Sequence, residues 1–146
     1  MLYLKRNTIN LPLVSLLDRT INTFGLNTWS YLLSFTNDMS KESVTTLVTN
    51  ENMTAFILSG ATNVILKIKE MTGTLDGTDG EIKLYPKGYW SYEIYEQESI
   101  TNLDITASVP MAKIQVGKAY VYDTTDEVQY TEHIDTTNTT NYIYIK

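Results

Sequence analysis

The chain contains no cysteine. Disulfides and thiolate metal sites are therefore excluded, and stability has to come from packing and backbone hydrogen bonds. Histidine is almost as scarce, with His133 in "YTEHID" the sole example. A nucleophile–histidine–acid arrangement needs that residue beside a serine, and no G-x-S-x-G stretch occurs. On a strand, Glu132 and His133 would point to opposite faces. No run approaches the roughly 20 apolar residues of a membrane-spanning helix. The longest N-terminal run, "INLPLVSLL", is interrupted by Asn10 and Pro12 and is followed by no small-residue cleavage pattern, so it does not read as a signal peptide. Long helical periodicity is missing as well. The single candidate is Leu11 to Arg19, where Leu13, Leu16 and Leu17 have helical spacing behind a possible Asn10 cap, and an irregular strand fits the same residues.

Basic charge is also in short supply. Eleven Lys and Arg face 17 Asp and Glu, for a net charge of −6 over 146 residues. Phosphate binding needs a basic patch, so nucleic acid is an unfavourable partner. With 42% hydrophobic and 19% charged residues the composition is globular, and the length suits one domain, or one domain with an extra arm.

What is abundant is strand pattern. In "KGYWSYEIYEQESI", alternation puts Trp90, Tyr92 and Ile94 on one face and Tyr89, Ser91, Glu93 and Tyr95 on the other. "MLYLK" sets Leu2 and Leu4 against Tyr3. "TWSYLLSF" groups Trp29, Tyr31, Leu33 and Phe35, and "TNVILKIKE" groups Val64, Leu66 and Ile68. "SVTTLVT", "TAFIL", "GEIKLYP", "NLDITAS", "AKIQVGKAYVYD", "EVQYTEHI" and "NYIYIK" add further strands, separated by turn residues such as "SGA", "LDGTDGE" and "PKG". Many short strands without intervening helices indicate an all-β fold, a sandwich or barrel. Gly117 interrupts the alternation of "KIQVGKAYVY", which predicts a β-bulge or a strand end there. The expected organisation is an N-terminal strand and connecting segment over 1–28, a core over 29–122, and a C-terminal arm or hairpin over 123–146.

Each candidate site has a plain alternative. Asp76, Asp79 and Glu81 in "DGTDGE" have the oxygen density of a calcium loop but not the D-x-D-x-D-G spacing, and Asp-Gly pairs are ordinary turn chemistry. Glu93, Glu96 and Glu98 could supply the paired carboxylates of a glycosidase, or be solvated edge charges. Tyr89, Tyr95 and Tyr130 could form a carbohydrate platform, or an outer sheet face. Asn52 and Asn138 are formal glycosylation acceptors. Trp29 and Trp90 read as core anchors facing one another. The C-terminal "NYIYIK" is strongly strand-forming and should be paired, at home or on another subunit.

Four stretches taken in order, "MLYLKRNTIN", "WSYLLSFTND", "EIKLYPKGYWSYEIYEQES" and "AKIQVGKAYV", resemble a group of small virion proteins of tailed bacteriophages, including crAss-like and related phages of Bacteroidetes. Gly88, Tyr89, Trp90, Tyr92, Ile94, Tyr95, Glu96 and Gln97 carry the closest likeness, followed by Gly117 and Val121. The chain departs from that pattern at "LPLVSLLDRTINTFGLN" and in its longer tail. The resemblance implies an immunoglobulin-like antiparallel β-sandwich without catalytic activity or cofactor. It implies an auxiliary or decoration protein of the capsid, bound to the major capsid protein or other virion proteins and to copies of itself. A connector, collar or tail component is the structural alternative, and a carbohydrate-binding module for host glycans the alternative of another class. Leu2, Leu4, Tyr89, Tyr95, Tyr142 and Tyr144 are the expected interface residues.

Overall fold

The computed structural model describes residues 1–15, 30–58, 61–107 and 111–125. The described residues are mostly β-strand and include no α-helix. The longest strands are β10 (Gly88–Gln97) and β11 (Met111–Tyr122). They pair antiparallel at the centre of a five-stranded sheet. On their flanks lie β1 (Leu2–Lys5), parallel to β11, and β4 (Ser30–Asn37), antiparallel to β10, with β5 (Ser43–Val48) outside β4. The strand order is β1-β11-β10-β4-β5.

Alternation explains the inner face of this sheet. Trp90, Tyr92 and Ile94 from β10, Tyr31, Leu33 and Phe35 from β4, and Leu2 and Leu4 from β1 are all buried. They join Val64, Leu66, Ile68, Ile82 and Leu84 in one hydrophobic cluster. Trp90 is 1% exposed and donates from Nε1 to the Pro86 carbonyl at 3.0 Å. Burying such a ring removes ~150–250 Å² from water, at most about 4–6 kcal/mol at ~25 cal/mol per Å².

Two three-stranded sheets supply the rest of that core. One runs β2-β8-β9 (Thr8–Asn10, Ile68–Glu70, Glu81–Ile82) and the other β3-β7-β6 (Leu13–Val14, Ala61–Leu66, Met53–Leu58). The two are joined by one ladder. Thr8 faces Glu70, Asn10 faces Ile68, Leu13 faces Ile65 and Val14 faces Val64, all in the same register. The Leu66 amide bridges the break between them by donating to the Pro12 carbonyl at 3.1 Å. Pro12 lacks the N–H that would return the bond, which accounts for the interruption.

Corners are held by buried polar side chains. Asn7, with φ of 54°, turns the chain from β1 into β2. Glu70 is 1% exposed and accepts the Asn7 amide at 2.6 Å and the Leu84 amide at 3.0 Å. Asn10 imitates a strand neighbour: its Oδ1 accepts from the Lys5 amide at 2.7 Å, and its Nδ2 donates to the Lys5 carbonyl at 2.9 Å.

Several expectations are corrected. The pairing is mixed, because β1–β11 and β8–β9 are parallel. "TGTLDGTDGE", whose glycines fit a turn-rich excursion, is consequently a crossover between the parallel strands β8 and β9, with a 3-10 turn at Gly77–Asp79. "NLDITAS" is no strand over its described residues, 102–107. Asp104 Oδ1 accepts from both the amide and the hydroxyl of Thr106, at 2.8 and 2.7 Å, and this Asx turn replaces ladder bonds. The stretch lies over the outer face of β4 and β5, tied by Thr45 Oγ1 to the Leu103 carbonyl and Ser30 Oγ to the Ser99 carbonyl. Leu32 and Leu47 are fully buried outside the main cluster, so β4 is buried on both faces. The helix candidate is a strand at Leu13–Val14, and its residues 16–19 lie outside the described set, as does Trp29.

The parity change in β11 arises before Gly117. Ile94 faces Gln115 and Tyr95 faces Lys113, so Ile114 is the extra residue of a bulge, and the strand then runs on to Tyr122. Gly117 sits opposite Tyr92, and a Cβ there would lie 2.6 to 2.8 Å from the phenol ring. The glycine makes room for that ring. Gly117→Ala is expected to cost about 1–3 kcal/mol, read as a lower urea midpoint with an unchanged far-UV spectrum; an unaltered midpoint would show that the ring moves aside freely.

Candidate interaction surface

The outer face of the five-stranded sheet is laid out in rows by strand register. Tyr3 faces Tyr120, which faces Tyr89, so three tyrosines from β1, β11 and β10 stand side by side. Tyr3 is 66% and Tyr89 56% exposed. The Tyr89 and Tyr120 rings approach to 4.9 Å between centroids at 57°, a tilted aromatic pair. At one end Arg6 lies over the exposed Tyr85 ring, 5.3 Å from its centroid, and pairs with Asp123 at 3.1 Å.

Two polar clusters follow down the sheet. Lys118 Nζ donates to Asp38 Oδ2 at 2.7 Å and to Ser91 Oγ at 2.8 Å, while Ser91 Oγ donates to Asp38 Oδ1 at 2.7 Å. The serine hydroxyl is thus held between the Asp38 carboxylate, to which it donates, and the Lys118 ammonium, which donates to it. Further along, Lys113 Nζ donates to Glu93 Oε1 at 2.8 Å and Tyr95 Oη to Glu93 Oε2 at 2.5 Å, with the Lys113 ammonium 5.5 Å from the Tyr95 ring centroid. Hydrogen bonds from Lys118 and Ser91 lower the Asp38 pKa, and those from Lys113 and Tyr95 lower that of Glu93. The Tyr95 hydroxyl is raised, by burial first and then by its bond to Glu93. Each cluster contains one acid and one base, so both are internally neutral within a chain of net charge −6.

The predicted site residues separate clearly. Tyr89 lies on this face and is open. Tyr95 shares the face, but its hydroxyl is committed to Glu93. Leu2 and Leu4 are 7% and 0% exposed within the chain's own core, a correction to their assignment as interface residues. They are buried because β1, though an edge strand, turns alternate residues onto that core. Tyr130, His133, Asn138, Tyr142 and Tyr144 lie outside the described residues. Tyr3 and Tyr120 were missed, since alternation gives the face of a tyrosine but only register shows that three of them align.

Other candidates disperse. Glu93 points outward and Glu96 inward, 4% exposed, so the two carboxylates do not converge. Asp76 takes the Thr78 amide and hydroxyl, Glu81 takes the Asp76 amide, and Asp79 takes Asn52 Nδ2 and pairs with Lys69. Three carboxylates engaged with separate protein donors do not form a calcium cage, and no metal-holding group of three occurs among the described residues. Asn52 is 7% exposed, which removes it as a glycan acceptor. An open groove of about 430 Å³ beside β2, lined by Ile9, Lys69, Met71 and Glu81 among others, has both its carboxylates, Glu70 and Glu81, bonded to backbone amides.

No protein-family model matches the chain, no curated protein matches it, and no solved structure matches it.

The carboxyl shifts set an acid limit. Folding lowers the pKa of Asp38, Asp79, Glu93 and Asp104, so the folded chain binds fewer protons than the unfolded one in the acid range. The stability they contribute is present above the ordinary carboxylate pKa of about 4 and is lost as pH falls through the lowered values. Urea midpoints measured from pH 6 to pH 2 are expected to fall below about pH 4, and less steeply in Glu93→Gln. A midpoint independent of pH in that range would contradict these pairings.

Proposed function

We propose that the chain is a non-enzymatic structural protein of a tailed-phage virion, an immunoglobulin-like β-sandwich bound to the capsid shell as an auxiliary or decoration subunit. The observation that carries this reading is the tyrosine row Tyr3–Tyr120–Tyr89 on a sheet face whose two polar clusters each pair an acid with a base. Tyrosines give large contact area for little lost side-chain freedom and concentrate at protein interfaces. The acids and bases of the two clusters already satisfy one another, so a partner can cover those clusters without leaving either one's charge unpaired. One core shared by the five-stranded sheet and the two smaller sheets supports the sandwich. The stretches resembling phage virion proteins include β1, β4, β10 and most of β11, the same strands that build this face. The partner in this reading is the major capsid protein or another virion protein. Individually weak contacts repeated over a lattice hold such a subunit firmly.

A second reading draws on the exposed Tyr89 ring beside the Asp38–Ser91–Lys118 cluster, which together present an aromatic face and polar groups suited to a sugar. It makes the chain a glycan-binding module.

Quantitative mass spectrometry and cryo-EM of the particle encoded with this chain test the proposal. Hundreds of copies on the shell, with Tyr89 and Tyr120 at the contact and binding weakened at least about tenfold by a Tyr89→Ala, Tyr120→Ala double variant, are expected. Copies in multiples of six or twelve would move the chain to the neck or tail. Absence from the particle, with glycan-array binding lost in Tyr89→Ala, would replace the proposal with the glycan reading.

A further inference from the structure

Sheet edges carry unpaired backbone groups, and this fold guards two of its edges. On β1, the Asn10 carboxamide occupies both the amide and the carbonyl of Lys5. Beside β5, Thr46 Oγ1 bonds the carbonyls of Gly77 and Glu81, bringing the 3-10 turn and β9 against the strand.

The strand formed by β2 and β3 is different. The bond from the Leu66 amide to the Pro12 carbonyl fixes which of its residues face the ladder. Thr8, Asn10, Pro12 and Val14 pair inward with Glu70, Ile68, Leu66 and Val64. By the alternation of an antiparallel ladder, the amides and carbonyls of Ile9, Leu11 and Leu13 point to the open edge. No backbone bond from them to a described residue is present beyond that ladder. Their side chains are also exposed, at 53%, 63% and 48%. Pro12 faces inward and cannot block the edge, and the stretch "TINLPLVS" carries no charge. An open backbone edge and an apolar stripe therefore coincide on the same three residues.

We infer that this edge is a docking site for a second copy of the chain, strand Thr8–Val14 pairing antiparallel with itself about Leu11. The open groups recur at 9, 11 and 13 and are symmetric about Leu11. In a two-fold pairing Leu11 meets the Leu11 of the second copy, and Ile9 meets its Leu13. Every outward donor then finds an acceptor, and the exposed apolar side chains become cross-strand pairs. Charge favours the same occupant. Two copies of a chain with net charge −6 repel over most of their surface, and this uncharged strip lets them approach. The inference stands apart from the virion reading and from the tyrosine face.

The full-length chain tests it directly, because a cysteine introduced into a cysteine-free protein has only its own copy to oxidise with. Antiparallel hydrogen-bonded neighbours lie about 5.5 Å apart between Cα atoms, within disulfide reach. Leu11→Cys is expected to give a covalent dimer on mild oxidation. Light scattering is expected to show a dimer for the unmodified chain and a monomer, equally well folded by circular dichroism, for Leu11→Lys and Ile9→Lys. Amide exchange at Ile9, Leu11 and Leu13 should slow by about tenfold or more as concentration rises through the dimer range. A monomer at all concentrations, fast exchange at these amides, or protection that does not depend on concentration would overturn the inference. The last result would place another segment or partner on the edge.

Discussion

Backbone hydrogen bonding at strand edges is the constraint on which this architecture depends. A chain of short strands without disulfides has to close its sheets against water with what the sequence provides. Here that is done with single side chains. Asn10 stands in for a missing strand beside β1, Glu70 gathers two amides at a corner, and Thr46 links β5 to the crossover loop. These groups let three sheets share one core although the ladder between the smaller two is interrupted at Pro12. They also determine what remains on the outside: a tyrosine face on one layer and an open apolar edge on the other.

The face and the edge differ in chemistry. On the five-stranded sheet the exposed groups are aromatic, with acids and bases paired among themselves, a surface suited to covering by a large partner. On β2 and β3 they are aliphatic side chains and backbone groups with no backbone bond to a described residue beyond the ladder, suited to another strand. A subunit with one of each can bind a partner by its face and a copy of itself by its edge. Such an arrangement builds extended assemblies from modest contacts.

Much of the fold was legible in the sequence, for a specific reason. Where one face of a strand is buried, alternation reports it, and Trp90, Tyr92 and Ile94, or Val64, Leu66 and Ile68, read directly as core. Alternation fails where another interaction wins. At "NLDITAS" the Asp104 turn overrides β-branched residues, and on β4 Leu32 is fully buried on the face where Ser30 and the neighbouring Thr45 bond to the Ser99 and Leu103 carbonyls. At Gly117 the break in pattern was real, but its cause is the bulge at Ile114. The candidate surface was legible only in part. Tyr89 could be placed outward from its neighbours, whereas its alignment with Tyr120 and Tyr3 depends on pairings between strands far apart in sequence. Leu2 and Leu4 were misplaced because a terminal strand looks available until its partner is known.

The central claim is that this chain acts by contact through its sheet surfaces. Chemical labelling of tyrosine hydroxyls and rings, quantified by mass spectrometry on the free chain and on its native assembly, tests that claim most directly. The account predicts that Tyr3 and Tyr89 react readily when the chain is free and are shielded together in the assembly, while the exposed Met39 sulfur oxidises equally in both. Equal reactivity of the two tyrosines in both states would contradict it.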